Sequence, residues 1–176
     1  MLEILRKRRS IRRYQKKEIE PEKIELLKEA ALRAPSSRAI KPWQFVFVTD
    51  RSILEKLSRA KEDGSGFLKG AGLGVVVCAD ENKSDVWIED CSIASIILQL
   101  EALSLNLGSC WIQIRNRMHD VERSSEDYIR GVLELPQNIR IESIVSIGYP
   151  DEEKAPIPGD QLDYHKINCK GFKAFH

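Results

Sequence analysis

Three short stretches of this chain combine residue types and spacings that could do chemistry. In RKRRSIRRY, from Arg6 to Tyr14, six of nine positions are basic. Arg8, Arg9 and Arg12 with Ser10 could supply guanidinium forks and a hydroxyl to one phosphate group, a task that suits arginine geometry. The same stretch could be a solvated basic end or an arm for nucleic acid, although the interleaved Ile11 and Tyr14 favour a folded segment. In APSSRAIKPW, from Ala34 to Trp43, Pro35 breaks a helix, and Ser36, Ser37 and free backbone N–H groups follow. That loop could present polar groups to a flat ligand, but a loop stiffened by two prolines is also ordinary architecture. In NLGSCWIQI, from Asn106 to Ile114, Gly108 reads as a helix cap and Trp111 as core. Gln113 is polar between two isoleucines on a strand expected to be buried, so its amide must find a partner. A ligand edge would serve.

Other chemistries find no support. The chain has no G-x-S-x-G elbow, no G-x-x-x-x-G-K-S/T loop and no G-x-G-x-x-G after a strand. His119, His165 and His176 sit in no informative context for a hydrolytic base. Cys78, Cys91, Cys110 and Cys169 are far apart with no C-x-x-C spacing. They read as buried or incidental thiols, and neither a metal site nor a disulfide is expected.

The elements that must position these stretches follow from periodicity. Pro21 opens a helix carrying Ile24, Leu27, Ala30, Ala31 and Ala34, and WQFVFV (43–48) reads as a buried strand. Asp50 can cap a helix with Ile53, Leu54 and Leu57. A glycine-rich loop leads to the strand LGVVVCA. Ser84 and Asp85 open the longest helix, which ends at Gly108 and is apolar enough to be central. SCWIQI (109–114), a polar helix near Ser125 to Leu133, and the strand IESIVSIG follow. This alternation predicts an α/β or α+β sheet with helices on both faces. The 176 residues fit one domain, with an arm over 151–176 that docks on something. With 28 Lys and Arg against 27 Asp and Glu, the net charge is +1, and 42% of residues are hydrophobic. These values describe a soluble globular protein. No apolar run reaches a membrane span and no signal peptide is recognised, so a cytoplasmic protein without a membrane partner is expected.

In this order the three stretches resemble the FMN-dependent nitroreductase family. RRSIRRY is similar to its phosphate motif R-x-S-x-R/K-x-F/Y, and APSSRAIKPWQF to its A-P-S-x-x-N-x-Q-P-W loop. DCSIASIILQLEALSLNLGSCW is similar to its central helix and following turn, and IGYPDEEK to its last core strand and turn. The resemblance implies an α+β fold with a mainly antiparallel sheet flanked by helices, forming an intertwined homodimer with FMN at the subunit interface. By position, Arg8, Arg9, Ser10 and Arg12 match the phosphate and ribityl contacts. Pro35, Ser36, Ser37 and Ala39 fall in the loop that reaches the ring from the other subunit, and Gln113 and Ile114 lie beside its N5 and O4 edge. NADH or NADPH would be the donor and a nitroaromatic, quinone or other small molecule the acceptor, by a ping-pong cycle. The flavin carries the hydride, so no catalytic acid or base is expected. Other flavin uses, reductive dehalogenation or flavin breakdown, share this fold. A degenerate flavin-binding protein and a nucleic-acid module are the readings without reductase activity, and near-neutral charge disfavours the second. Ala39 stands where the family has Asn, and Lys41 where it has Gln. PIPGDQL lacks the basic residues that complete the family's phosphate grip. Arg115 and Arg117 read as exposed charge, or as contacts to a nicotinamide phosphate.

Overall fold

The computed structural model describes residues 1–168; Cys169 and the last residues of the expected arm lie outside them. The sheet orders its strands β1 (Trp43–Val48), β2 (Leu73–Asp80), β4 (Ile139–Gly148) and β3 (Gly108–Gln113), every pairing antiparallel. The fold is therefore α+β. β2 and β4 are the inner strands, and their near-continuous apolar runs suit burial on both faces.

Helices cover each face. On one side α2 (Pro21–Leu32) and α4 (Trp87–Ser104) pack Leu27, Ala31, Cys91, Ala94, Leu98 and Ala102 against Val75, Val77, Val145 and Ile147. On the other, α3 (Arg51–Leu57) and α5 (Ser125–Leu133) bring Leu54, Leu57 and Ile129 onto Val76, Ile112, Ile141 and Ile144. Asp50 caps α3 as the sequence predicts, accepting from the N–H groups of Ser52 and Ile53. α4 also touches β1, β2, β3 and β4 as well as α1 (Leu2–Lys7) and α2, which makes it the central helix.

Both ends of α4 differ from the sequence reading, and the helix begins at Trp87 rather than at Ser84 and Asp85. α4 ends at Ser104, and Asn106 takes the left-handed conformation with φ 61°, which asparagine tolerates better than most residues. Gly108 is instead the first residue of β3, in register with Gly148 at the end of β4. A Cβ on Gly108 would lie 2.9 Å from the Ile11 side chain, and one on Gly148 would lie 2.8 Å from the Tyr14 ring. This glycine pair lets the N-terminal segment lie flat across the end of the sheet. There Ser10 bridges Ser109 in parallel, Tyr14 bridges Pro150, and the Ile11 N–H donates to Ser109 O at 2.9 Å.

Candidate functional site

The basic segment is folded into the protein. The Tyr14 hydroxyl lies 2.7 Å from Ile11 O and 2.8 Å from Ser146 Oγ. Burial raises its pKa well above the ordinary phenol value, against the Ser146 hydrogen bond. Glu152 Oε1 accepts from the N–H groups of Arg12 and Arg13, at 2.5 and 3.2 Å. Those bonds, the one from Arg12 foremost, hold the Glu152 carboxyl below its usual range. Lys154 Nζ donates to Ser10 O at 2.6 Å, and the Arg9 guanidinium donates to Ala155 O.

A cavity of about 320 Å³ opens here, and Lys7, Arg8, Arg9 and Lys154 line it together with Glu152 and Glu153. Burial raises the Cys110 thiol pKa, while Arg12, the Ser10 hydroxyl, Lys154 and Arg8 all pull the other way. Arg8, Ser10 and Lys154 thus meet beside Gly108 and Ser109 of β3, with Arg12 further along the same segment. Neither Arg8 nor Arg12 has a carboxylate partner among the described residues. Arg12 instead lies 5.8 Å from the centroid of the Phe67 ring. Lys154 lies just upstream of PIPGDQL, in a run of acids that reads as a surface turn, and brings a further cation to this cavity.

β3 supplies an open edge next to this cluster. The Ile114 N–H points inward to Glu142 O, and Ser109 O points outward to Ile11. By the alternation of an antiparallel ladder, the N–H groups of Trp111 and Gln113 face outward, where no described strand pairs with them. The Gln113 side chain needs no ligand to be satisfied. Its Oε1 accepts from Trp111 Nε1 at 3.1 Å, and its Nε2 donates to Arg115 O at 2.9 Å. Trp111, expected in the core, is only half-buried. The Ile114 side chain is wholly buried among the α3 and α5 residues. Lys61, on the loop after α3, was not singled out by the sequence because no motif marks it. Burial foremost, then the charge of Arg117, lowers the pKa of its ammonium group.

The Pro-Ser loop lies elsewhere. Ser37 N–H donates to Asp90 Oδ1 at 2.8 Å, Lys41 N–H to Ser36 Oγ at 2.7 Å, and Arg38 pairs with Asp85. These bonds tie the loop to the N-terminal end of α4, whereas Leu103 at the other end lines the cationic cavity. At 1.5 Å per helical residue, Asp90 and Leu103 are about 20 Å apart. Within one chain, Pro35, Ser36, Ser37 and Ala39 do not join Arg8, Ser10, Arg12 and Lys154.

The nitroreductase family description matches residues 5–65. An Archaeoglobus fulgidus protein named for NADH dehydrogenase and NAD(P)H nitroreductase is 39% identical over 157 residues, which cover 87% of each chain. This chain belongs to the nitroreductase family. A protein of the same name from Methanothermobacter thermautotrophicus is 35% identical, over 97% of this chain and 86% of its own. The structure of an FMN-dependent nitroreductase from Clostridium difficile R20291 superposes with a TM-score of 0.96. It is 47% identical and covers 98% of this chain and 100% of that one.

This member of the nitroreductase family carries a local cost in its Pro-Ser loop. Arg38, Ala39 and Lys41 have φ of 52°, 54° and 53°, a region that costs an ordinary residue roughly 1–2 kcal/mol and glycine almost nothing. Ala39 is exposed, so a change there meets no packed neighbour. Ala39→Gly is expected to stabilise the fold by about 0.5–1 kcal/mol and Ala39→Asn by somewhat less. Thermal unfolding should show a rise in Tm of about 1–4 °C.

Proposed function

We propose that this chain is an FMN-dependent oxidoreductase that takes electrons from NADH or NADPH and passes them to a small acceptor such as a nitroaromatic or quinone. The observation that carries this reading is the meeting of Arg8, Ser10 and Lys154 beside β3, whose outer edge is open, with the Arg8 and Arg12 guanidinium groups free of carboxylate partners among the described residues. FMN is a dianionic phosphate joined to a flat apolar ring, so its site needs cations at one end and a few fixed donors at the other. Arg8, Arg9, Ser10, Arg12 and Lys154 would hold the phosphate and ribityl chain. The outward N–H groups of Trp111 and Gln113, with the strand around Ile114, would face the ring. When bound, the flavin supplies the hydride chemistry, and the protein contributes position, charge and exclusion of water.

Donor and acceptor would occupy the same place in turn, in a ping-pong cycle. The placement of the Pro-Ser loop at the N-terminal end of α4 and of the cationic cavity toward its C-terminal end supports a homodimer in which Pro35, Ser36, Ser37 and Ala39 complete the partner's site. Ile157, Leu162, Tyr164 and Ile167 leave 48–66% of their area exposed, which suits an arm over 151–176 docking on a second copy of a single-domain chain. No helix among the described residues is long and apolar enough to cross a membrane. We place the protein in the cytoplasm, with no membrane or nucleic-acid partner.

Purified protein should be yellow, and the flavin band near 450 nm, on the order of that of free flavin, should bleach on anaerobic addition of NADH or NADPH. Folded protein that neither carries nor takes up FMN would sink the reading. A turnover screen with nitro, quinone and halogenated acceptors separates this reduction from dehalogenation or flavin breakdown.

A further inference from the structure

Behind the open edge of β3 lies a buried acid for which the proposed reaction has no use. β2 and β4 pair Val77 with Ser143 and Cys78 with Ile141, so Glu142 is the extra residue of a β-bulge. Such bulges re-aim nearby groups and recur beside active sites. The backbone oxygen of Glu142 accepts from both Ile114 N–H, at 3.2 Å, and Arg115 N–H, at 3.0 Å, so the bulge fixes the turn that ends β3. Glu142 as a whole is 3% exposed, and its Oε2 is buried without a hydrogen-bond partner. Leaving such an atom unpaired is costly.

The groups around this carboxyl come from every neighbouring element. Ser143 lies on its own strand, Ser92 and Cys91 on α4, and Arg115 on the turn after β3. Asp90, also on α4, faces Cys91 and holds Ser37 N–H. Across the ladder Cys78 O receives Cys91 Sγ at 3.6 Å. Burial pushes the Cys78 thiol up to about 12 and the Cys91 thiol higher still, so neither titrates near neutral pH. Burial foremost also raises Glu142 to about 7, opposed by Ser143, Arg115 and Ser92. Arg115 is half-buried and has no carboxylate ion pair among the described residues.

We propose that Glu142 is a positioning residue for the ligand-facing end of β3: ionised, it draws the Arg115 side chain inward, and protonated, it releases Arg115 toward the bound ligand. This rests on the flavin reading for the identity of the ligand. Loss of one charge-assisted contact on withdrawal corresponds to about tenfold in affinity.

The test measures FMN affinity by fluorescence between pH 6 and 8.5 in wild type, Glu142→Gln, Arg115→Gln and the double variant. FMN itself titrates in this range, so each protein is compared with its Glu142→Gln counterpart, which carries the same ligand titration. The ratio of wild-type Kd to Glu142→Gln Kd should rise about tenfold across the range. The ratio of Arg115→Gln to the double variant should stay constant. A wild-type ratio that does not change with pH overturns the proposal. Urea unfolding of the same proteins without ligand tests the pair independently. Arg115→Gln should lower the midpoint more at pH 8.5 than at pH 5.5, and this difference should vanish in the Glu142→Gln background. If that coupling is absent, the switch is overturned whatever flavin does. If it is present and FMN binds at no pH, the flavin reading falls and the coupled pair stands.

Discussion

Gly148→Ala is expected to lower stability by about 2–3 kcal/mol and to loosen the N-terminal segment. The added methyl would sit 2.8 Å from Tyr14 Cδ1, 3.2 Å from Tyr14 Cγ and 3.1 Å from the backbone nitrogen of Gly72. Gly72 cannot retreat, because its N–H donates to Ile147 O at 3.0 Å. Tyr14 must therefore move, and its hydroxyl loses Ile11 O and Ser146 Oγ. The consequence passes to the site, since the same segment holds Arg8, Ser10 and Arg12 beside β3. Urea denaturation reads the stability loss, and flavin content after dialysis reads the loosened grip. In a Tyr14→Ala background the ring that collides is gone, so the further cost of Gly148→Ala should shrink by more than about 0.5 kcal/mol, beyond additivity. Equal costs in both backgrounds would show that the glycine serves something other than the docking of this segment.

That dependence explains what the sequence could and could not disclose. The strands and helices were legible because their apolar periods are local, and the capping of α3 by Asp50 follows from side-chain chemistry alone. The reading of a phosphate grip came from the family resemblance, whereas the cationic segment itself was legible from its composition. Its fourth cation was not: Lys154 reaches Ser10 O because Tyr14 pairs with Pro150, a contact 136 residues apart in the chain. The fate of Gln113 could have been anticipated. Residues i and i+2 of a strand share a face, so Trp111 was a partner within reach of its amide. Gly108 shows the opposite case. A glycine after an apolar helix fits a cap, and only the approach of Ile11 shows that close packing of two backbones is what requires it. Glu142 was invisible because a bulge shifts a strand's alternation by one residue, and nothing in IESIVSIG marks where the shift falls.

Mixing two defective variants should restore about a quarter of the flavin sites, if each site is shared between two copies of the chain. The first variant, Arg8→Ala with Arg12→Ala, removes both unpaired guanidinium groups. At roughly 1.5–3 kcal/mol for each charge-assisted contact, it should weaken FMN retention by about a hundredfold or more. The second, Ser37→Pro, deletes the N–H that Asp90 Oδ1 receives at 2.8 Å. Ser36 is already extended, with φ −141° and ψ 156°, so the new proline meets a permitted neighbour. The defect is thus confined to the lost bond, which leaves a buried carboxylate short of a partner and frees the loop. After the two are unfolded together and refolded, half the dimers carry one chain of each. In such a dimer, one site pairs intact arginines from the second variant with an intact Pro-Ser loop from the first, and the other site carries both defects. Bound flavin, counted by absorbance after gel filtration, should then reach about a quarter of the wild-type level although each parent alone is nearly colourless. A site completed within one chain predicts no recovery, because every chain in the mixture is defective. The separation that α4 puts between the Pro-Ser loop, tied to Asp90, and the cationic cavity toward its other end makes recovery the expected result.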